Sequence, residues 1–215
     1  MGPKFSEAAI IIIGLVIFLA LCLYQITLPG LHYDEAREAG VPAMQLVLGQ
    51  PVEVFRGAGL RLFGQNLPLM VQDYIGALNV YLAVPFLALL GVSVPALRLM
   101  PVFFGALTLL FTYIFARQLF NRQVAAIADL LLALNPSFVF WNRQGIFVTS
   151  IMATLAMASL VCALGWYRRG RELYLYLGAF ILGLGLYAKL LFIWFILALI
   201  VTFILLDIRR RLHQR

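Results

Sequence analysis

The residues best equipped for chemistry stand in one stretch, Leu31-His32-Tyr33-Asp34-Glu35-Ala36-Arg37. Two adjacent carboxylates can coordinate a divalent cation such as Mg or Mn. Alternatively, one of them takes a proton as a general base, provided that partial burial tunes it. Asp34 and Glu35 are therefore the catalytic candidates. Asp34 is also the metal candidate, with the imidazole of His32 beside it. The same pattern has a structural origin too, since acidic side chains opening a helix are favoured by its dipole, and a single His in a loop is commonly a polar contact.

Whatever these residues do, apolar helices must position them. At 64% hydrophobic and 12% charged, the chain departs from a soluble domain, in which roughly a quarter of residues are charged. Roughly 20 apolar residues cross a bilayer as a helix. Runs of that kind lie at 8–28, 96–116, 124–141, 147–166, 174–187 with its flanks, and 190–206. The first reads as an uncleaved signal anchor. Cys22 and Cys162 fall inside apolar runs and read as buried small hydrophobes rather than disulfide or metal positions. The net charge of +7 comes mostly from arginines at membrane edges. Without interleaved basic and aromatic residues, it does not point to nucleic acid.

A seventh apolar run, 74–90, decides the topology. If it stays on one side, Lys4, Arg117, Arg122, Arg168, Arg169, Arg171, Arg209, Arg210, Arg211 and Arg215 share one face. That is ten of the sixteen basic residues, as cytoplasmic loops require. If it crosses, nine of the ten change sides. The expectation is an all-α integral membrane protein of about six transmembrane helices in a single domain, with both termini cytoplasmic. It has a first span at 8–28, an exterior loop at 29–95, five further spans within 96–206 and a basic tail at 207–215 that anchors to lipid headgroups. The exterior loop holds Asp34, Glu35, Glu38, Glu53 and Asp73, five of the nine acidic residues. Within it, 34–48 has helical, amphipathic spacing that Pro42 kinks or splits, and such a helix lies on the membrane surface. Pro51, Gly57, Gly59 and Gly64 predict loop after it. Asn135-Pro136 predicts a kink in the third span. In that span, Asp129 is an ionisable group at a costly depth, within reach of water or Arg122. Tyr24, Trp141, Trp166, Tyr167 and Tyr174 read as an interfacial aromatic belt.

The order of features carries more than any one of them. Asp34-Glu35-x-Arg37 follows the first helix, and the amphipathic segment comes next. Then come Phe86-Leu-Ala-Leu-Leu-Gly91-Val-Ser-Val-Pro-Ala-Leu-Arg98, Ala116-Arg117-Gln-Leu-Phe-Asn121-Arg122, Asn135-Pro-Ser-Phe-Val-Phe-Trp-Asn142-Arg143 and Gly183-Leu-Gly185-Leu-Tyr-Ala-Lys189. This order resembles the N-terminal half of the GT-C glycosyltransferases that use polyprenyl-phosphate sugars. Within them it is most similar to the protein O-mannosyltransferase and aminoarabinose transferase group, over about residues 8–200. The resemblance implies that Asp34 is the catalytic base or a metal-associated carboxylate, with Glu35 beside it. It also implies that Arg37, Arg143 and Lys189 bind substrate, with Arg37 and Lys189 meeting the donor phosphate. The implied partners are a lipid-linked sugar donor, membrane lipids and possible companion membrane subunits, in the plasma membrane of a bacterium or archaeon.

The chain departs from that family's pattern twice. Thr149 stands where a second acidic residue is expected, and a hydroxyl is a poorer metal ligand than a carboxylate. Family enzymes are also about twice as long or longer. Two functions follow as expectations: a GT-C-like transferase or its N-terminal module, or a non-catalytic subunit of a larger membrane complex built on the same fold. A transporter would show inverted repeats and paired broken helices, and the sequence has neither.

Overall fold

The computed structural model describes residues 7–62 and 64–213. Lys4, Gln214 and Arg215, which enter the charge count and the expected tail, lie outside the described residues. Helix α1 (Glu7–Leu23) is followed by a strap of turn and irregular backbone, residues 24–32. Next come α2 (Tyr33–Glu35), a π-helical turn (Ala36–Gly40) and α3 (Val41–Val47). These three form one helical rod over the stretch where amphipathic spacing predicts it. The proline does not split the rod; it widens the turn before it. Pro42 has no N–H to give to the Glu38 carbonyl, and the Val41 N–H reaches back five residues to the Ala36 carbonyl.

The expected loop after this rod is instead two small antiparallel hairpins. Strand β1 (Gly59–Leu62) pairs with β2 (Gln65–Pro68), and β3 (Met70–Gln72) pairs with β4 (Ile75–Gly76). Gly64, read as a breaker, has φ +79° in the connection between β1 and β2, the left-handed conformation that hairpin turns require. Because residues 75–76 form a strand, the next helix, α4 (Leu78–Leu90), starts later than the apolar run does. Its 13 residues span about 20 Å, against roughly 30 Å of hydrocarbon.

Six helices follow, four of them longer than α4. Helix α5 (Val94–Leu119) is capped by Ser93, whose Oγ accepts from the Ala96 N–H at 3.3 Å. Helices α6 (Arg122–Ala133) and α7 (Pro136–Gln144) are capped by Asn121 and Asn135 in the same way. They cover the run expected as one span, 124–141, and bend by 60° at the expected kink, Asn135-Pro136, because Pro136 at the start of α7 cannot continue the hydrogen-bond ladder of α6. Then come α8 (Thr149–Arg169), α9 (Glu172–Ala188) and, after a 3-10 turn at Leu190–Phe192, α10 (Ile193–His213). The helix thus continues well into the expected tail.

Helices at Val94–Leu119, Thr149–Arg169 and Leu190–Asp207 are long and apolar enough to cross a membrane, and the bent α6–α7 pair makes a fourth crossing if counted as one. Ala8–Leu23, Leu78–Leu90 and Glu172–Ala188 are apolar but shorter.

Helix α5 is the hub, packed by α1, α4, α6, α7 and α8. Gly105 permits the closest approach: a Cβ there would meet Asn142 Oδ1 and Phe18 Cζ at 2.5 Å. Thr108 of α5 and Thr154 of α8 join hydroxyls at 2.8 Å, an inter-helix bond of a kind worth about 0.6 kcal/mol in a membrane bundle. Asp129 is buried against α1, its Oδ2 3.0 Å from where a Cβ on Gly14 would lie.

Candidate functional site

The site begins with Arg98, one turn into α5 and fully buried. All five of its N–H groups are engaged. Nε donates to Glu35 Oε1 (2.7 Å), and Nη2 to Glu35 Oε2 (3.0 Å) and the Gly30 carbonyl (3.1 Å). Nη1 donates to the carbonyls of Ile26 (2.6 Å) and Pro29 (2.9 Å). Arg143, from α7, donates through Nη2 to the carbonyls of Gln25 (2.6 Å) and Leu28 (2.9 Å). Two arginines from two helices thus fasten the strap that leads into α2, and Arg143 has its contacts there rather than in an open cavity.

Glu35 is equally committed. Besides the two-pronged pair with Arg98, its Oε2 accepts the His32 N–H at 3.1 Å, while His32 Nδ1 accepts the Asp34 N–H at 3.2 Å. This reciprocal capping box satisfies two otherwise orphaned donors. In a buried bidentate pair each charge depends on the other. The candidate acidic pair therefore divides: Glu35 faces inward to Arg98, and Asp34 keeps its carboxylate partly exposed, at 19%.

The Asp34 carboxylate is near enough to Lys189 to act on its charge. This lysine ends α9, and its backbone bridges to Ile75. The next residue, Leu190, donates its N–H to the Tyr74 carbonyl at 2.9 Å. The Lys189 ammonium lies 5.6 Å from the centroid of the Tyr74 ring. Burial pulls its pKa below the usual 10.5, while the carboxylates of Glu38 and Asp34 push it back up. Residues far apart in sequence therefore meet at one place: Asp34 and Glu38 from the helical rod, Tyr74 from the β3–β4 turn and Lys189 from the end of α9.

Two cavities include residues of this group or its immediate neighbours. One, of about 410 Å³, is lined by Lys189, Thr149 and apolar side chains including Met152, Leu191, Phe192 and Phe195. The Thr149 hydroxyl donates to the Ile146 carbonyl at 2.8 Å. The other, of about 540 Å³, lies between the rod and the hairpins, with Tyr33, Arg37, Glu53, Phe55 and Arg56 in its wall. Arg37 stacks on the Tyr33 ring at 5.9 Å and Arg56 on Phe55 at 5.1 Å. Arg37 and Lys189 thus line different cavities.

Among the described residues, no three His, Cys, Asp or Glu side chains converge. His32 Nδ1 lies 3.5 Å from Asp34 Oδ2 but already serves as the helix cap.

Sequence reasoning gave no role to Arg98 or Glu38. An arginine one turn inside an apolar helix was the available signal for Arg98, because such a charge requires a buried partner. Glu38, four residues after Asp34, fell inside the predicted helix without a sign that it is fully buried.

Residues 77–215 match the family described as dolichyl-phosphate-mannose-protein mannosyltransferase. A segment of 90 residues, 40% of this chain, is 34% identical to dolichyl-phosphooligosaccharide-protein glycotransferase 2 of Pyrococcus furiosus, and it covers 12% of that protein's length. No solved structure matches. The family match begins at Ala77 and takes in Arg98, Arg143, Thr149 and Lys189, while Asp34 lies before it. Matched over more than half its length, and with helices of membrane-crossing length inside the matched region, the chain is an integral membrane protein of the dolichyl-phosphate-mannose-protein mannosyltransferase family.

Proposed function

We propose that the chain is a GT-C-like glycosyltransferase, or the N-terminal module of one, that moves a sugar from a polyprenyl-phosphate donor to an acceptor on the exterior face. The observation that carries this is the convergence of a partly exposed carboxylate, Asp34, with a buried ammonium, Lys189, beside an apolar cavity. In the transfer, Asp34 accepts the proton of the acceptor hydroxyl. The freed oxygen forms a bond to the anomeric carbon, and the bond from that carbon to the phosphate oxygen breaks. Its electron pair leaves on the lipid phosphate, where Lys189 stabilises the charge.

The 410 Å³ cavity, apolar except at Thr149 and Lys189, suits the lipid side of the donor. The 540 Å³ cavity, whose wall carries Arg37, Glu53 and Arg56 along with Tyr33 and Phe55, suits an acceptor, which moves Arg37 from donor phosphate to acceptor contact. Glu35 and Arg143 become positioning residues that fix the strap. A divalent ion enters this reading only if the donor phosphate brings it to Asp34.

Six crossings follow if α1 and α9 cross along with the three long helices and the bent pair. The arginine distribution then puts both termini in the cytoplasm and the Asp34 rod outside, in the plasma membrane of a bacterium or archaeon. A second reading, a non-catalytic membrane subunit, is favoured by Thr149, whose hydroxyl is engaged locally where an acid was expected.

The test is transfer from a polyprenyl-phosphate sugar by the membrane-extracted protein, with native mass spectrometry of the same sample. The transferase reading predicts a bound lipid phosphate and transfer that Asp34→Asn abolishes. Transfer that survives Asp34→Asn, or a stable hetero-assembly without the lipid, rejects it.

A further inference from the structure

Glu38 has no role in the chemistry above, yet it is among the most completely buried side chains of the protein, at 0% exposure. An ionised carboxylate is stable at such a position only beside compensating charge. The backbone explains how it arrives there. Glu38 occupies the middle of the π-helical turn that Pro42 imposes, four residues after Asp34. That turn packs against α4, β3 and the 3-10 turn at Ile146–Val148.

From the opposite side, Lys189 is fixed by its backbone bridge to Ile75, by the bond from Leu190 to Tyr74, and by Gly76, where any Cβ would collide with the Tyr187 carbonyl. The two sides meet through the β3–β4 hairpin: the turn that carries Glu38 packs on β3 and on Ile146–Val148, while Lys189 bridges to β4, stands by the Tyr74 ring and shares a cavity wall with Thr149. Glu38 and Asp34 are the carboxylates that act on its charge.

We propose that Glu38 is a positioning residue whose carboxylate, with that of Asp34, holds the Lys189 ammonium at the cavity wall and supplies the second negative charge that Thr149 does not. The orientation of Lys189 toward a donor phosphate rests on the transferase reading; the pairing of Glu38 with Lys189 does not.

The sequence makes a direct test simple, because Lys4 and Lys189 are its only lysines. Protein labelled with ¹³C at the lysine ε-carbon gives two resonances in detergent micelles, and Lys189→Arg identifies one by removing it. In the intact protein the Lys189 signal titrates below 10.5. In Glu38→Gln it falls further, by about one to three pH units, the effect expected of losing an adjacent opposite charge. In Glu38→Asp it stays close to the unmodified protein. A Lys189 signal that titrates at the same pH with and without the Glu38 charge overturns the proposal.

If Glu38→Gln does not fold, the reciprocal measurement decides. The Glu38 carboxyl, labelled with ¹³C and identified by its disappearance in Glu38→Asp, must titrate at higher pH in Lys189→Met; an unmoved signal rejects the pairing. A chain that shows the lysine shift but transfers no sugar refutes the transferase reading and leaves the pairing standing.

Discussion

Asp34 and Glu35 are neighbours in the chain and occupy opposite worlds in the fold. Glu35 is gripped by Arg98 on one side of the rod and has no oxygen left for a substrate. Asp34, turned about 100° around the helix axis, is partly open and faces an ammonium held by a different part of the chain. The inward side determines where the rod lies; the outward side is where chemistry is available. An acidic pair therefore need not be two copies of one function, and a single residue of helical rotation separates scaffold from reagent.

That contrast is open to direct attack. The largest effect is expected from Asp34→Asn, which keeps shape and hydrogen bonding: transfer falls by about 10²–10⁴-fold, while the melting temperature of the detergent-solubilised protein holds. A lowered melting temperature would place Asp34 on the scaffold side. Arg98→Met should do the reverse. It strands the Glu35 carboxylate in the core and costs about 3–5 kcal/mol of stability, read as a large drop in melting temperature. Arg98→Met combined with Glu35→Leu should recover most of that loss, because the pair leaves together.

Lys189→Met is expected to lower turnover by about 10²-fold and also to lower the melting temperature, because it strands the buried Glu38 carboxylate. Lys189→Arg gives a finer measurement. The ammonium must be protonated to stabilise the leaving phosphate, and burial places its pKa below 10.5. Activity is therefore full below the folded-state pKa and lost as pH rises through it. Arginine stays charged, so this alkaline loss should disappear. The smallest effect is a control remote from both faces. Gly105→Ala forces a methyl group into Asn142 and Phe18 and should cost about 1–3 kcal/mol of stability, leaving the pH profile unchanged.

Much of the scaffold was readable along the chain because its signals are local. Apolar runs gave the helices, the spacing over 34–48 gave the rod, and Pro136 gave the break between α6 and α7. The hairpins were missed because glycines that interrupt a helix are equally the residues a tight turn requires, and sequence alone does not choose between them. At the site, Asp34 was visible as an acid opening a helix. What makes it different from Glu35 was not visible, since Arg98 lies on another helix and the contact forms only when α5 packs against the strap. Glu38 and Lys189 illustrate the same point. Their approach depends on a π turn, a β bridge and a glycine contact, none of which either residue announces on its own.

The strap between α1 and α2 carries a consequence for how such a protein diversifies. Its carbonyls are fastened to α5 and α7, while the β3–β4 hairpin is tied to Lys189 through Ile75. The β1–β2 hairpin has neither attachment, and Leu60 and Leu62 point largely to the outside. The hairpin is therefore the part of this region best suited to exchange, up to Pro68, whose carbonyl accepts the Tyr81 hydroxyl of α4 at 2.6 Å. Under the transferase reading, the hairpin's length and sequence can drift to suit a new acceptor, while Asp34, the proposed base, keeps coordinates set by the helices that fasten the strap.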